Sequence, residues 1–190
     1  MDVYFATEFA TIEIGSQMAK RISIGCVAED GREFYAELTG AWVSEDCREY
    51  REFDEDTAPR FFQRGEYHLA DEEKLATKLR AWIESLTTAV YHKSYKTEVI
   101  EMVILRSDYK RLDWTFVENL FQRYGGLPRN LHRKCGDVYW YQNTQDRQKY
   151  HAALTQYWND HQDQEDHALI KAKSFLFASE SPGGNWSEDN

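Results

Sequence analysis

The sequence lacks the excess of basic residues that broad capture of nucleic acid or of a lipid surface requires. Its 190 residues include 23 Lys and Arg against 33 Asp and Glu, which gives a formal net charge of −10. Phosphate binding over an open surface needs clustered positive charge. The composition therefore argues against that class of interaction, while leaving room for an enzyme that holds nucleic acid through metal ions in a narrow cleft.

Cysteine is scarce, and long apolar runs are missing. Cys26, Cys47 and Cys135 are odd in number and form no metal-ligand pair, which predicts a reduced, intracellular setting. The N-terminus shows no positive segment followed by an apolar stretch, and no apolar run approaches the roughly 20 residues of a membrane span. We therefore expect a soluble, cytoplasmic protein without a signal peptide.

Apolar and aromatic residues, in contrast, are abundant. They make up 42% and 15% of the chain, enough for one domain of this length to bury a sizeable core. We expect a single domain over residues 1–178. The polar, acidic end of the chain, residues 179–190, has the composition of a disordered tail.

The pattern of side chains predicts an α/β sheet domain. Residues 2–9 and 20–38 favour strands, with an Asp30-Gly31 turn joining the second and third, and the run 97–105 favours a buried strand. Residues 39–68 have no sustained period and are expected to form a loop. Strands followed by a helix, a strand and further helices are typical of an α/β fold.

Helical periodicity marks four segments. The first begins after Asp71, a suitable N-cap, and the second begins near Asp113, which is also a natural N-cap, and ends at Gly125. Two later helices are expected over residues 145–159 and 165–178. The aromatic residues within 140–158 fall at helical spacing, which favours a packing face over a base-stacking surface.

Four stretches, taken together and in this order, resemble the landmarks of one enzyme family. They are "YFATEF", "ISIGCVAEDGREFYA", "YKRLDWTFVENLFQRYGGLP" and "DHALIKAK". Each is similar to a segment of the bacterial and phage 3′–5′ exonucleases of the DEDD superfamily, which includes RNase T and oligoribonuclease. In that family the corresponding segments carry Asp-Thr-Glu-Phe, "ISIG-V-EDG-EYYA", a helix opened by "YDW", and "HxALxDA". The resemblance covers residues 1–40 and 97–175.

The resemblance implies a ribonuclease H-like fold, with a mixed sheet of about five strands flanked by helices. It also implies metal-dependent release of nucleotides from the 3′ end of single-stranded RNA or DNA. The family binds Mg²⁺ or Mn²⁺ through four carboxylates, because hydrolysis by two divalent ions needs hard oxygen ligands that converge. A His or Tyr serves as general base. Family enzymes commonly dimerise, so a homodimer is a further expectation.

Carried over residue by residue, the resemblance is incomplete. Glu8 stands at the glutamate of the first strand, and Asp113 stands at the aspartate that opens the helix. Ala6 occupies the position of the first aspartate. In the better register of the last motif, Asp166 replaces the general-base histidine and Lys171 replaces the last aspartate. Two metal ligands and the base would then be missing.

A second register of the last motif stays open. His161 and Asp166 have the spacing of five residues that separates histidine and aspartate in the family, and this register would restore a base and a third acid. The second register gives up the match between "HALIKAK" and the last motif of the family. In either register His167 is a candidate imidazole near the pocket, and Ala6 remains a gap.

Lys171 discriminates between the readings of the site. It is either an ordinary solvated lysine or a residue whose ammonium replaces a metal ion and pairs with Glu8 or Asp113, since clustered carboxylates otherwise repel one another.

The incomplete resemblance leaves three hypotheses for the function of the chain. The chain is a pseudonuclease that binds a nucleic-acid end or a protein partner without cutting, a nuclease disabled by a laboratory change of aspartate to Ala6, or an acidic interaction or inhibitor protein that uses the fold as a scaffold.

Overall fold

The computed structural model describes residues 1–10, 20–38, 69–87, 89–92, 97–139, 144–161 and 167–180. The strands are β1 (Asp2–Ala10), β2 (Lys20–Ala28), β3 (Glu33–Leu38), β4 (Leu69–Ala70), β5 (Ala89–His92), β6 (Thr97–Ile100), β7 (Ile104–Ser107) and β8 (Gly136–Asp137). The helices are α1 (Glu72–Leu86), α2 (Lys110–Arg123), α3 (Thr144–Asp160) and α4 (Ala168–Glu180). The predicted loop 39–68, Cys47, Asp166 and the tail beyond residue 180 lie outside the described residues.

The main sheet is mixed. Its strands lie in the order β4-β3-β2-β1-β7-β8, and β4 and β8 contribute two residues each. β1, β2 and β3 form an antiparallel meander, while β7 runs parallel to β1 and β8 runs parallel to β7. With its helices, this sheet confirms the predicted α/β class and is consistent with the ribonuclease H-like fold.

Each face of the sheet carries its own apolar core. Val3 and Phe5 of β1 point into the first core, which also contains the buried residues of α1 and α2. Tyr4 and Ala6 alternate with them and point into the second core, beneath α3 and α4. We call these the α1/α2 face and the α4 face. No helix in the described ranges is long and apolar enough to cross a membrane.

The predicted helices are confirmed, with one correction at a helix start. Asp71 caps α1, and its carboxylate accepts a hydrogen bond from the Lys74 N–H at 2.8 Å. α2, however, begins at Lys110 with Tyr109 at the N-cap position, so the prediction that Asp113 caps this helix is wrong. The helix begins earlier because the Tyr109 N–H donates to the Ser107 hydroxyl at 2.9 Å, which turns the chain directly after β7.

The late helices and the turn after β2 also match the sequence pattern. α3 buries Tyr150, Ala153 and Tyr157, so its aromatic face is a packing face as predicted. α4 extends to Glu180, two residues into the segment that was expected to be disordered. Gly31 has φ 85° in the turn between β2 and β3, a conformation that favours glycine.

The predicted strand 97–105 is wrong as a single element. β6 pairs with β5 in a separate two-stranded sheet, whereas β7 pairs with β1 in the main sheet. The break comes at Glu101 and Met102, whose carboxylate and carbonyl accept hydrogen bonds from the N-terminal ammonium of Met1 at 3.0 and 3.1 Å. The run is not continuously apolar, since it contains Glu98 and Glu101, and Glu101 lies at the break.

α4 lies directly against the backbone of β2. A Cβ atom built on Gly25 would meet the Leu169 nitrogen at 2.2 Å and the carbonyl carbon of Ala168 at 2.4 Å. Gly25 is the register partner of Ala6 on β1. The first turn of α4 is therefore seated on the sheet where the "ATE" segment passes.

We expect Gly25→Ala to lower the free energy of unfolding by about 3 kcal/mol, because the clash is with backbone atoms that cannot rotate away. Urea denaturation followed by circular dichroism measures the loss. Gly31→Asn is the matched control, since Gly31 has open space around it and asparagine tolerates its φ. Equal stability of the Gly25→Ala variant and the natural chain would contradict this seating of α4.

Candidate functional site

Ala6 lies in a closed part of the fold. Its side chain is 0% exposed and packs within the second core, which also contains Ala172 of α4. The position where the family carries its first aspartate is thus filled by the helix above it. A carboxylate at position 6 would enter an apolar layer instead of an open cleft.

Asp113 is a buried carboxylate held by two hydroxyls. It is 2% exposed, and the hydroxyls of Thr7 and Ser107 each donate to one of its oxygens. Burial raises the pKa of the Asp113 carboxyl above its usual value, the two hydrogen bonds oppose the rise, and Asp108 adds to it. Asp113 therefore connects α2 to β1 and to the carboxyl end of β7.

Glu8 and Asp113 lie on opposite faces of the sheet. Thr7, which contacts Asp113, continues the Val3 and Phe5 alternation on the α1/α2 face, and Glu8 continues the Tyr4 and Ala6 alternation on the α4 face. The structure does not bring these two predicted metal ligands together. Glu8 is half-buried, with Ser23 as its register partner on β2.

Lys171 forms an ion pair with Asp108 at the end of β7, and its charge also opposes the rise in the pKa of Asp113. Its ammonium lies 3.5 Å from Oδ2 of Asp108, and both side chains are largely buried. In the parallel register of β1 and β7, Tyr4 faces Arg106. When that register is extended by two residues, Asp108 is level with Ala6. The Asp108–Lys171 pair therefore lies beside Ala6, the position at which the family resemblance expects an aspartate.

Asp108 is the site residue that the sequence reasoning missed. A signal was present, because Asp108 directly follows the apolar strand β7, and ligands of α/β sheets bind at the carboxyl ends of parallel strands. Oδ1 of Asp108 is buried and has no hydrogen-bond partner among the described residues. That oxygen is an acceptor held at the strand end.

The two candidate histidines pack near opposite ends of α4, and neither is part of that helix. His167 directly precedes the helix, is buried, and stacks on Tyr35 of β3 with ring centroids 4.4 Å apart. His161 stacks on Tyr157 at 4.1 Å, and Tyr157 also contacts Phe177, roughly 14 Å along α4 from its first turn. His167 is thus near the start of α4, whereas His161 packs toward its end.

The residues present do not fit the two-ion site of the family. In the described part of the chain, no three Asp, Glu, His or Cys side chains lie close enough together to hold a metal ion. Ala6 is apolar, Lys171 brings a positive charge, and Asp113 is turned to the other face. No hydrolytic step through paired Mg²⁺ or Mn²⁺ ions can be built from this arrangement.

Comparison with protein-family models and with curated proteins gave no match. The family resemblance of the sequence therefore remains a prediction, and the geometry of the described residues carries the functional argument.

We expect Thr7→Val to lower the free energy of unfolding by about 1–3 kcal/mol at pH 7, because it removes a hydroxyl that donates to a buried carboxylate. The variant should also raise the pKa of Asp113 further. A raised pKa in the folded state costs stability as pH rises above the ordinary value of aspartate, so the loss should be smaller at pH 4 than at pH 7.

Thr115→Val is the matched control for this measurement. Thr115 is exposed on α2 and its hydroxyl donates to the Arg111 carbonyl, so we expect a change of about 0.5 kcal/mol or less. Denaturant titrations at the two pH values test both variants. Equal losses for Thr7→Val and Thr115→Val would contradict a structural role for the Asp113 hydrogen bonds.

Proposed function

We propose that this protein is a relative of the DEDD 3′–5′ exonucleases that binds the 3′ end of single-stranded RNA or DNA without hydrolysing it. The observation that carries the proposal is the Asp108–Lys171 ion pair, which lies directly after the carboxyl end of β7 and level with Ala6 in the middle of β1. A cytoplasmic location is part of the same proposal. The buried, free thiols of Cys26 and Cys135 are compatible with a reducing compartment.

The ion pair suits the chemistry of a nucleic-acid 3′ end. The Lys171 side chain is 29% exposed, and its ammonium can donate to a phosphate oxygen. The Asp108 carboxylate, whose side chain is 18% exposed, can accept a hydrogen bond from a terminal hydroxyl that enters beside Lys171. Together they recognise a hydroxyl next to a phosphate, which is the combination found at a 3′ end.

The same ion pair explains how the protein can bind a nucleic-acid 3′ end without hydrolysing it. One ammonium supplies a single positive charge and cannot generate a hydroxide or coordinate the attacking and leaving oxygens as two metal ions do. With α4 seated over Ala6, the position for a bridging carboxylate is also closed. With this arrangement the protein can still recognise a 3′ end, but it cannot hydrolyse the strand.

We expect Lys171→Gln to weaken binding of a 5′-fluorescein-labelled single strand with a free 3′ hydroxyl by roughly tenfold or more, since a charge-assisted hydrogen bond contributes about 1.5–3 kcal/mol. Fluorescence anisotropy at low salt measures the affinity for RNA and for DNA strands. Lys173→Gln is the matched control, because Lys173 lies on the same helix and pairs with Glu33 at 2.7 Å.

A strand that ends in a 3′ phosphate tests the role of Asp108. We expect it to bind more weakly than the 3′-hydroxyl strand, because its charge is repelled by the carboxylate. Equal effects of the two lysine substitutions, or equal affinity for the two kinds of end, would contradict the proposed mode of binding. Absence of any strand binding would favour the interaction-protein hypothesis.

We also expect no release of nucleotides from labelled strands in Mg²⁺ or Mn²⁺, either by the natural chain or by Ala6→Asp, because Lys171 still occupies the site. Gel electrophoresis measures release, and circular dichroism checks that each variant is folded. Release by Ala6→Asp alone would show an active nuclease disabled at one position and would overturn the proposal. Release by Ala6→Asp combined with Lys171→Asp would support loss of an ancestral site at both positions.

A further inference from the structure

The chain bulges outward at the edge of the main sheet, directly before β8. Leu131 forms a parallel bridge with Val103, and Gly136 pairs with Arg106 of β7. Five residue steps on the edge segment therefore cover the distance that three steps cover on β7. Bulges of this kind occur at sheet edges and re-aim side chains. The residues between Leu131 and Gly136 are thus displaced away from the sheet.

Hydrogen bonds fasten the bulge to its neighbours. The Val103 N–H donates to the Asn130 carbonyl at 2.6 Å, and the His132 N–H donates to the Val103 carbonyl at 2.8 Å. The Lys134 N–H donates to Nδ1 of His132 at 3.2 Å, which closes the turn between them. The side-chain amide of Asn130 donates to the Ile83 carbonyl of α1 at 2.7 Å. The bulge is therefore held by both β7 and α1.

Four basic side chains lie at the bulge and at the start of α2. Arg133 and Lys134 are exposed in the bulge, and Lys110 and Arg111 are exposed in the first turn of α2. Burial raises the pKa of the Cys135 thiol to about 12, and the nearby Lys110 ammonium opposes the rise. None of the four basic residues forms an ion pair within the described part of the chain. We call Lys110, Arg111, Arg133 and Lys134 the basic edge.

The basic edge is a local exception in an acidic protein. Residues 109–135 contain six Lys and Arg against two Asp and Glu, although the whole chain carries a formal charge of −10. Of the two acids, Asp113 is buried and Glu118 is half-buried in the middle of α2. Asp137 of β8 is an exposed acid on this side of the sheet. Clustered positive charge is what phosphate binding at a surface requires, and the basic edge provides it locally.

Tyr109 adds an aromatic surface to the basic edge. It is 58% exposed and directly precedes Lys110, while its N–H donates to the Ser107 hydroxyl at 2.9 Å and holds the residue in place. Unpaired bases stack on exposed aromatic rings, whereas a duplex keeps its bases stacked on one another and an acidic protein has no bases. The ring and the four unpaired cations together favour a single strand as the ligand.

We propose that the basic edge and Tyr109 bind the backbone of single-stranded nucleic acid without requiring a 3′ end. The basic edge lies between the bulge and the first turn of α2, whereas Lys171 belongs to α4 on the opposite face of the sheet. The proposal does not rest on recognition of a 3′ end, because phosphates occur along the whole strand. The acidic remainder of the protein confines this binding to one edge.

A circular DNA single strand with an internal fluorescein tests the proposal, because a circle has a backbone but no end. We expect the natural chain to bind the circle, with a slope of log affinity against log salt of about −3 for four phosphate contacts. Arg133→Gln combined with Lys134→Gln should make that slope shallower by roughly 1.4. Fluorescence anisotropy over a series of salt concentrations measures both slopes.

A second double variant is the matched control. Lys74→Gln combined with Arg129→Gln removes the same charge from two exposed residues outside the basic edge, and it should leave the slope unchanged. Tyr109→Ala should weaken binding of the circle by about fivefold or more, whereas Tyr109→Phe keeps the ring and should bind as the natural chain does. Lys171→Gln should weaken binding of a 3′ end but not of the circle.

Four results would overturn the proposal. They are absence of binding to the circle, equal slopes for the two double variants, equal affinity of Tyr109→Ala and Tyr109→Phe, and a loss of circle binding in Lys171→Gln as large as in the basic-edge variant. The last result would assign all binding to the 3′-end site. Charged bulges also prevent pairing between sheet edges. Self-association of the Arg133→Gln and Lys134→Gln double variant in size-exclusion chromatography, with circle binding unchanged, would leave the basic edge only that role and would likewise overturn the proposal.

Discussion

The contact between α4 and the bare backbone of Gly25 governs the geometry of this protein. Because glycine has no Cβ, the first turn of α4 approaches β2 more closely than any other residue would allow. That approach buries Ala6 and brings Lys171 to the end of β7, where it meets Asp108. It also sets His167 against Tyr35.

Closing the helix onto the sheet changes what the site can do. The family site needs several carboxylates that repel one another until metal ions neutralise them. Here Ala6 removes one carboxylate, and the Lys171 ammonium neutralises another with a covalently attached charge. A lysine does this without any free ligand, so the folded state does not depend on metal at this position. In our account, the combination of Ala6 and Lys171 preserves recognition of a nucleic-acid 3′ end and abolishes hydrolysis.

Much of the fold could be predicted from the sequence, because the periodic spacing of apolar residues indicates which positions of a local segment are buried. The cap at Asp71, the turn at Gly31 and the aromatic face of α3 follow from rules that act over a few residues. The break within 97–105 was not predictable from the local pattern, because β6 and β7 pair with different strands, β5 and β1. Nor was the burial of Asp113, whose hydroxyl partner Thr7 lies 106 residues away.

The site was predictable only in part, for the same physical reason. The types and spacing of Ala6 and Lys171 mark both as site positions, and the structure places Ala6 beneath α4 and Lys171 at the end of β7. The ion pair of Lys171 with Asp108 is not predictable in this way, because partners across a sheet depend on strand order and on the direction of alternation.

The central claim is that a lysine, and not a metal ion, provides the positive charge at the 3′-end site. The most direct test is the affinity of the natural chain for a 3′-hydroxyl single strand in Mg²⁺ and in excess EDTA at matched ionic strength. The account predicts the same affinity in both buffers. Binding that requires Mg²⁺ would contradict it.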